Sequence, residues 1–255
     1  MKNKELIISH TGLDGITAGW IMESVLDEDS IVDVLHIDYD DIAYVIEKLD
    51  VSAYVGIYIA NLNLTIKQAD ILATKCINKK LALIDNHKSG KEVSEKYNWY
   101  HLDTRMSVSM AVYKYYSRYY KSTKRSPKLD NFTDLINSFL IASKKDIFKY
   151  RIGKALANSL NRFVDVINEF IPKSKEPFEN ADYYYAQRRF IEMMANMDIL
   201  DLSSPISVED ITNYAIRTTL LNNYSPAERC IIHEAYEEYD TYTIDEIVSK
   251  IIENQ

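Results

Sequence analysis

Short apolar runs alternate with amphipathic stretches through the first hundred residues of the chain. Four runs rich in branched apolar residues predict strands, at 4–9, 31–37, 53–60 and 80–84. The stretches between them have apolar residues three and four positions apart and predict helices, at 15–27, 40–49, 65–78 and 90–97. A short fifth strand is expected near 98–102. This alternation predicts an α/β fold, a doubly wound parallel sheet with helices on both faces.

From about residue 107 onward the pattern is helical throughout. Apolar spacing predicts a series of helices, at 107–121, 130–143, 154–170, 179–198, 208–222, 226–239 and 243–252. The segment 171–180, between the helices predicted at 154–170 and 179–198, is polar and contains proline, which predicts a linker. We therefore expect an α/β domain over 1–125, and a helical region over 126–255 that completes a site cleft and forms a smaller C-terminal helical domain.

Composition and charge narrow the class of protein. The 255 residues are 47% hydrophobic and 27% charged, which is an ordinary globular balance. There is no apolar run of about 18 residues, no signal-peptide pattern and only two distant cysteines, so a cytoplasmic protein that does not span a membrane is expected. The net charge of −8 argues against general binding to long nucleic acid.

The charge is unevenly distributed along the chain. Residues 105–154 contain twelve Lys or Arg and three Asp, a net charge of +9, which leaves −17 for the remainder. A local basic patch in an acidic protein suits a small anionic ligand. Solvated helix faces would explain the same segment, and the sequence leaves both interpretations open.

Polar residues follow three of the predicted strands. His10, Asp14 and Gly15 come after the first, Asn61 after the third, and the stretch Asp85-Asn86-His87-Lys88 after the fourth. Ligands of doubly wound sheets bind outside the carboxyl ends of the strands. A single Asn or Asp at such a position often only caps the next helix. Three such ends on neighbouring strands indicate a site.

These stretches resemble the three motifs of the DHH phosphoesterases. The family motifs are His-x-Asp-x-Asp-Gly, an Asp after an apolar strand often followed by Leu-Asn-Leu, and Asp-His-His. Here they read His10-Thr11-Gly12-Leu13-Asp14-Gly15, Ala60-Asn61-Leu62-Asn63-Leu64 and Asp85-Asn86-His87. The resemblance covers roughly residues 5–150 and is greatest to the oligoribonuclease (nanoRNase) branch.

The resemblance implies a phosphodiesterase or nuclease that uses two bridged Mn²⁺ ions on short oligonucleotides or cyclic nucleotides. It places metal ligands at five positions, His10, Asp14, Asn61, Asn86 and Asp146. It gives catalytic roles to Asp85 and His87. Four residues are expected to contact the bound phosphates, Thr11, Gly15, Lys88 and Arg105. Whether the chain forms a homodimer is left open.

Three positions depart from the family pattern. Gly12 and Asn61 stand where the family has carboxylates, and Asn86 stands where it has an imidazole. Hard divalent cations need anionic oxygen ligands, and a two-metal site needs both ions. We therefore expect weak metal binding and slow or absent turnover. The sequence does not decide whether these residues are natural or introduced.

Three kinds of function remain open on the sequence. The first is a catalytically impaired phosphodiesterase. The second is a non-catalytic nucleotide-binding protein, for example a phage sponge for a signalling nucleotide. The third is an interaction module that uses the sheet only as a scaffold. In the second half, the stretch DYYYAQRRF at 182–190 is the best candidate for contacting a base or a second phosphate, although half-buried packing is the commoner explanation of such a stretch.

Overall fold

The structure is a computed structural model that describes residues 3–26, 30–119, 127–141, 147–170 and 173–196. Its five strands are β1 Lys4–His10, β2 Ile31–Ile37, β3 Gly56–Ala60, β4 Lys80–Asp85 and β5 Tyr100–Leu102. The first five helices are α1 Leu13–Val25, α2 Ile42–Lys48, α3 Ile66–Lys75, α4 Lys91–Lys96 and α5 Val108–Tyr119. Three more follow, α6 Pro127–Leu140, α7 Ile147–Phe170 and α8 Ala181–Asn196. Short 3₁₀ turns lie at Tyr39–Asp41, Lys88–Gly90 and Pro177–Glu179.

The strands form one sheet in the order β2-β1-β3-β4-β5, and every neighbouring pair is parallel. The predicted α/β fold with a parallel sheet is confirmed. Leu6, Ile7 and Ile8 on β1 are all buried, because helices cover both faces and a strand between them needs apolar residues on each side. All five carboxyl ends lie at the same edge of the sheet, which is where the motif residues follow β1, β3 and β4.

Several element boundaries differ from the sequence expectation, and the starts of β3 and α7 have an identifiable cause. β3 begins at Gly56, not at residue 53, because a turn closed by the Tyr54 N–H on the Val51 carbonyl precedes it. The seventh helix begins at Ile147, not at residue 154. Gly153 lies inside this helix, where an added Cβ would stand 2.5 Å from the Leu135 carbonyl oxygen of α6. The glycine therefore permits close helix packing and does not end the helix.

The described helices of the second half share a hydrophobic core with the sheet. One cluster joins Ile57 and Ile59 of β3 to Phe132, Phe163 and Phe190 of α6, α7 and α8. The domain boundary at 125 stays a prediction, and the helices expected at 208–222, 226–239 and 243–252 lie outside the described residues. Within the described ranges, no helix has the length and the apolar character needed to span a membrane.

Candidate functional site

The carboxyl edge of the sheet brings two histidines and a tyrosine together. The His10 ring, at the end of β1, stacks on the Tyr39 ring with centroids 4.2 Å apart and planes at 27°. The same tyrosine ring meets His87 edge-on at 5.6 Å. The strand-end site is defined here as His10, Tyr39, Asp85 and His87. The first and fourth strand ends thus converge as predicted, with Tyr39 between them.

Asp85 holds His87 in a fixed orientation. Its Oδ1 accepts a 2.6 Å hydrogen bond from His87 Nδ1, and its Oδ2 accepts a 2.8 Å bond from the Tyr100 hydroxyl. Asp85 is fully buried, and its hydrogen bond raises the pKa of His87. A buried carboxylate on one ring nitrogen leaves the other, Nε2, to exchange a proton or to donate to an anion. Nε2 lies 3.1 Å from the Tyr39 hydroxyl.

His10 is arranged as a hydrogen-bond donor. The Gly12 N–H donates to His10 Nδ1 over 3.0 Å, so the proton of the neutral ring lies on Nε2. Burial lowers the pKa of His10, which favours this neutral form. A metal ligand must offer a lone pair, and here the one on Nδ1 is already used. Nε2 is left as a donor, which suits a phosphate oxygen.

Asp14, a predicted metal ligand, caps a helix. Its Oδ1 accepts the Ser109 N–H at 2.7 Å and its Oδ2 accepts the Val108 N–H at 2.8 Å, both at the start of α5. The carboxylate is buried, and this burial raises its pKa while the two N–H groups act in the opposite direction. Both oxygens therefore serve to hold α5 against α1.

The two asparagines at predicted metal positions also have local structural partners. The Asn86 side-chain amide donates to the Met106 carbonyl at 3.1 Å, just before α5. Asn61 is buried, has a left-handed backbone with φ of 56°, and donates its N–H to the Ile84 carbonyl. Asparagine adopts this conformation more readily than most residues. Asp14 and Asn86 thus anchor the same segment, residues 106–109.

Glycines allow the chain to pass close to His10. A Cβ on Gly15 would overlap the His10 carbonyl oxygen and stand 2.8 Å from the His10 Cβ. A Cβ on Gly12 would stand 3.0 Å from His10 Nδ1. No side chain caps the N-terminus of α1, at Gly12. The free N–H groups of this helix end favour an anion.

The end of β2 contributes residues that sequence reasoning missed. Asp38 and Tyr39 follow this strand directly. Asp38 accepts a hydrogen bond from Thr11 Oγ1 and forms an ion pair with Lys173. The stretch IDYDD at 37–41 could have identified them, because its polar residues follow a predicted strand. All parallel strands end at the same edge of the sheet, so these residues lie beside the other strand-end residues. Lys173 comes from the predicted linker and could not be assigned from spacing.

The two predicted basic contacts lie on the surface. Arg105 forms a forked ion pair with Asp103, with Nε 2.9 Å and Nη2 2.7 Å from its two oxygens, and Lys88 is exposed at the start of a 3₁₀ turn. Such an exposed ion pair contributes little to stability. Contacts of either residue with a ligand stay predictions. Asp146, the fifth predicted metal position, lies outside the described residues.

A two-metal centre does not fit the residues that the structure describes. Among them, no group of three or more His, Cys, Asp or Glu side chains could hold a metal ion. Gly12 has no side chain, Asn61 and Asn86 are neutral, and Asp14 is buried with each of its oxygens accepting an N–H group of α5. Hard cations such as Mn²⁺ and Mg²⁺ need several anionic oxygens. The arrangement is rich in hydrogen-bond donors instead.

Comparison with known proteins agrees with the motifs. No protein-family model matches the chain. A curated 3',5'-cyclic-nucleotide phosphodiesterase from Helicobacter pylori is 28% identical over 115 residues, which are 42% of this chain and 33% of that protein. The chain therefore matches only about a third of the relative's length.

A solved structure extends the likeness to the whole fold. The crystal structure of an uncharacterized protein from Helicobacter pylori G27 is similar with a TM-score of 0.66 and 21% identity, over 97% of this chain and 68% of that one. This likeness shows a shared fold. Together with the curated relative, it is consistent with the motifs at the strand ends. The curated relative is a phosphodiesterase, which agrees with the predicted resemblance of these motifs to those of a phosphoesterase family.

Proposed function

We propose that this chain has a DHH-type phosphodiesterase fold that binds a short oligonucleotide or a cyclic nucleotide at the carboxyl edge of the sheet. We propose further that it cleaves this ligand slowly or not at all. The likeness to a curated cyclic-nucleotide phosphodiesterase supports the ligand class. The site residues support the loss of metal-dependent turnover.

One observation carries the proposal. Asp14 accepts N–H groups of Val108 and Ser109 on its two carboxylate oxygens, so this acid of the first motif is a structural cap here. Asn86 anchors the same segment through Met106. With Gly12 and Asn61 at two further positions, the described part of the site has few anionic oxygens to offer two divalent cations.

The groups that remain can bind phosphate. His10 offers Nε2–H, and His87 carries a raised pKa because Asp85 stabilises its protonated form. The uncapped start of α1 at Gly12 adds backbone donors. Charge-assisted donors of this kind bind phosphate oxygens strongly. These donors also favour a second candidate, a protein that binds and sequesters a signalling nucleotide without cleaving it.

Metal binding and turnover are tested by comparing two proteins. One is this chain, and the other carries Gly12→Asp, Asn61→Asp and Asn86→His. Each is titrated with Mn²⁺ by calorimetry and is incubated with 2–5-residue oligonucleotides and cyclic dinucleotides, with products followed by chromatography. We expect Mn²⁺ binding and cleavage in the restored protein and neither in this chain. Equal turnover by both proteins would refute the impairment.

The restored protein needs a folding control. An aspartate at 12 must displace the His10 ring, because its Cβ would stand 3.0 Å from Nδ1. A histidine at 86 removes the bond to the Met106 carbonyl. Circular dichroism and thermal unfolding therefore accompany the assay. The pair Asn61→Asp and Asn86→His, without the change at 12, is the fallback protein.

Binding is tested separately from turnover. We expect His87→Asn to weaken binding of a cyclic dinucleotide by about 10-fold or more, because it removes a charged donor. His101→Asn is the matched control. His101 is on β5, where its ring packs on Tyr115 with centroids 5.0 Å apart, and no hydrogen bond of its side chain to the strand-end site is found among the described residues. Equal affinities of the two variants, or no binding by the unaltered chain, would contradict the proposal.

A further inference from the structure

A cavity of about 470 Å³ lies along β2 and is lined by none of the strand-end site residues. Its walls come from β2, from α8 and from the turn at Pro177–Glu179. The volume is within the range of about 300–1,000 Å³ that is usual for small-molecule sites. The residues that carry the argument are Val34, His36, Tyr54, Phe178, Tyr184 and Tyr185.

The strand beside this cavity has an open edge. β2 is the outermost strand of the sheet and pairs only with β1. The Ile31 N–H bonds to Asn3 and the Ile37 carbonyl accepts from Thr11, so odd-numbered residues of β2 point their backbone groups toward β1. In a parallel strand the next residues then point outward. Val32 and Val34, two partly exposed residues of the cavity lining, therefore turn backbone N–H and C=O groups outward.

Aromatic rings form much of the remaining wall. Tyr54, Phe178, Tyr184 and Tyr185 all line the cavity. Phe178 is 42% exposed and Tyr185 is 57% exposed, so their rings are available at the surface. Aromatic rings stack on flat heterocycles, and a strand edge offers alternating donors and acceptors in one plane. The two features together suit a planar ligand with hydrogen-bonding groups on one side.

The charged residues of the lining are already paired. Arg188 Nη1 lies 2.6 Å from Glu23 Oε2, and its other nitrogens bond to Glu192. Asp33 lies 2.8 Å from Lys4 Nζ and accepts the Tyr54 hydroxyl. No unpaired cation therefore lines the described cavity. A phosphate group would lack a counter-charge here, which separates this cavity from the strand-end site.

The lining residue His36 has a buried polar atom that lacks a hydrogen-bond partner among the described residues. His36 is 1% exposed, and its Nδ1 lies 2.7 Å from Ser9 Oγ. Its Nε2 has no hydrogen-bond partner among the described residues. Leaving such an atom unpaired costs about 1–3 kcal/mol.

A peptide strand fits this edge less well than a small ligand. Both α8 and the turn at Pro177–Glu179 contact β2. An added strand needs an uninterrupted edge, and these two contacts interrupt it. A small ring-shaped ligand needs hydrogen bonds from only one or two backbone groups of β2.

We propose that the cavity binds an uncharged planar heterocycle of the nucleobase or nucleoside class, stacked against the exposed rings of Tyr185 and Phe178 and hydrogen-bonded to the outward edge of β2. This site is distinct from the phosphate site proposed above and does not depend on it. The stretch DYYYAQRRF thus contributes Tyr184 and Tyr185 to a base site, while Arg188 fixes the wall through its glutamates.

The test uses adenosine, guanosine, cytidine and uridine as probes. Each is titrated by calorimetry into the whole chain, into Tyr185→Ala and into Ile77→Ala. We expect at least one nucleoside to bind, and we expect Tyr185→Ala to weaken it by about fivefold or more, as for the loss of one stacking ring. Ile77→Ala is the control, because Ile77 is 66% exposed and does not line the cavity.

A third variant separates this site from the proposed function. His87→Asn should leave nucleoside affinity unchanged, because His87 does not line the cavity. No nucleoside binding up to millimolar concentration would overturn the proposal. So would an affinity that Tyr185→Ala leaves intact while its thermal unfolding is normal, or one that His87→Asn abolishes.

Discussion

The Asp14 carboxylate accepts a 2.7 Å hydrogen bond from the backbone N–H of Ser109, ninety-five positions later in the chain. The neighbouring Val108 N–H bonds to its other oxygen at 2.8 Å. The start of α1 and the start of α5 are thereby joined next to the strand-end site. A residue of the first motif has become a helix cap, and this change of role has measurable consequences.

Asp14→Asn should lower stability in the absence of any metal. An amide has one acceptor oxygen, so its NH₂ group would face the N–H of Val108 or Ser109 and one buried bond would be lost. We expect a loss of about 1–3 kcal/mol in the free energy of unfolding, measured by urea denaturation with EDTA present. Asp40→Asn is the control, on the surface turn Tyr39–Asp41. Equal stability of the two variants would argue against the cap.

Alanine at the two glycines of the first motif should have unequal effects. At Gly15 the new Cβ would overlap the His10 backbone, which cannot move without disturbing β1. At Gly12 it would meet only the His10 ring, and the backbone there is already extended, with φ of −75°. We expect Gly15→Ala to destabilise by about 1–3 kcal/mol or more and Gly12→Ala by clearly less. The midpoints of thermal unfolding of the two variants test this difference, and equal midpoints would contradict it.

His36 should make the fold sensitive to acid. Burial, together with the charges of Arg188 and His10, lowers its pKa from 6.5 to about 3. The unfolded chain then binds one more proton than the folded chain between these two values. Stability from the neutral ring is therefore present above pH 6.5 and is lost as the pH falls toward 3.

The variant His36→Gln isolates this effect from other titrating groups. Its free energy of unfolding should fall less steeply with decreasing pH than that of the unaltered chain. The difference in slope has an upper limit of about 1.4 kcal/mol per pH unit. Denaturation curves at closely spaced pH values give this slope. Parallel pH profiles of the two proteins would mean that His36 is not held neutral.

Tyr39→Phe should strengthen ligand binding at the strand-end site. The Tyr39 hydroxyl occupies His87 Nε2 at 3.1 Å, and a phosphate must displace it to reach that nitrogen. Phenylalanine keeps the stacking on His10 and frees His87. We expect affinity for a cyclic dinucleotide to rise by about 2–10-fold, the range of one ordinary hydrogen bond. A fall in affinity would mean that the hydroxyl itself contacts the ligand.

Much of the site followed from order along the chain. The strands predicted at 4–9, 31–37 and 80–84 match β1, β2 and β4 to within one residue, because continuous apolar runs are needed where both faces of a sheet are buried. The carboxyl-edge rule then placed His10 near His87. The same rule covers Asp38 and Tyr39 at the end of β2, which are absent from the predicted site.

The sequence by itself determined the class of fold, the motif positions and the residues that replace metal ligands. These depend on local periodicity and on residue chemistry, which need no neighbours. Only the tertiary structure decided what those residues do. Asp14 caps α5 and Arg188 is neutralised by Glu23, and both contacts join residues far apart in sequence. The Gly12 N–H places the proton of His10 on Nε2, which depends on the local backbone geometry. No spacing rule encodes such contacts, because packing decides which groups meet.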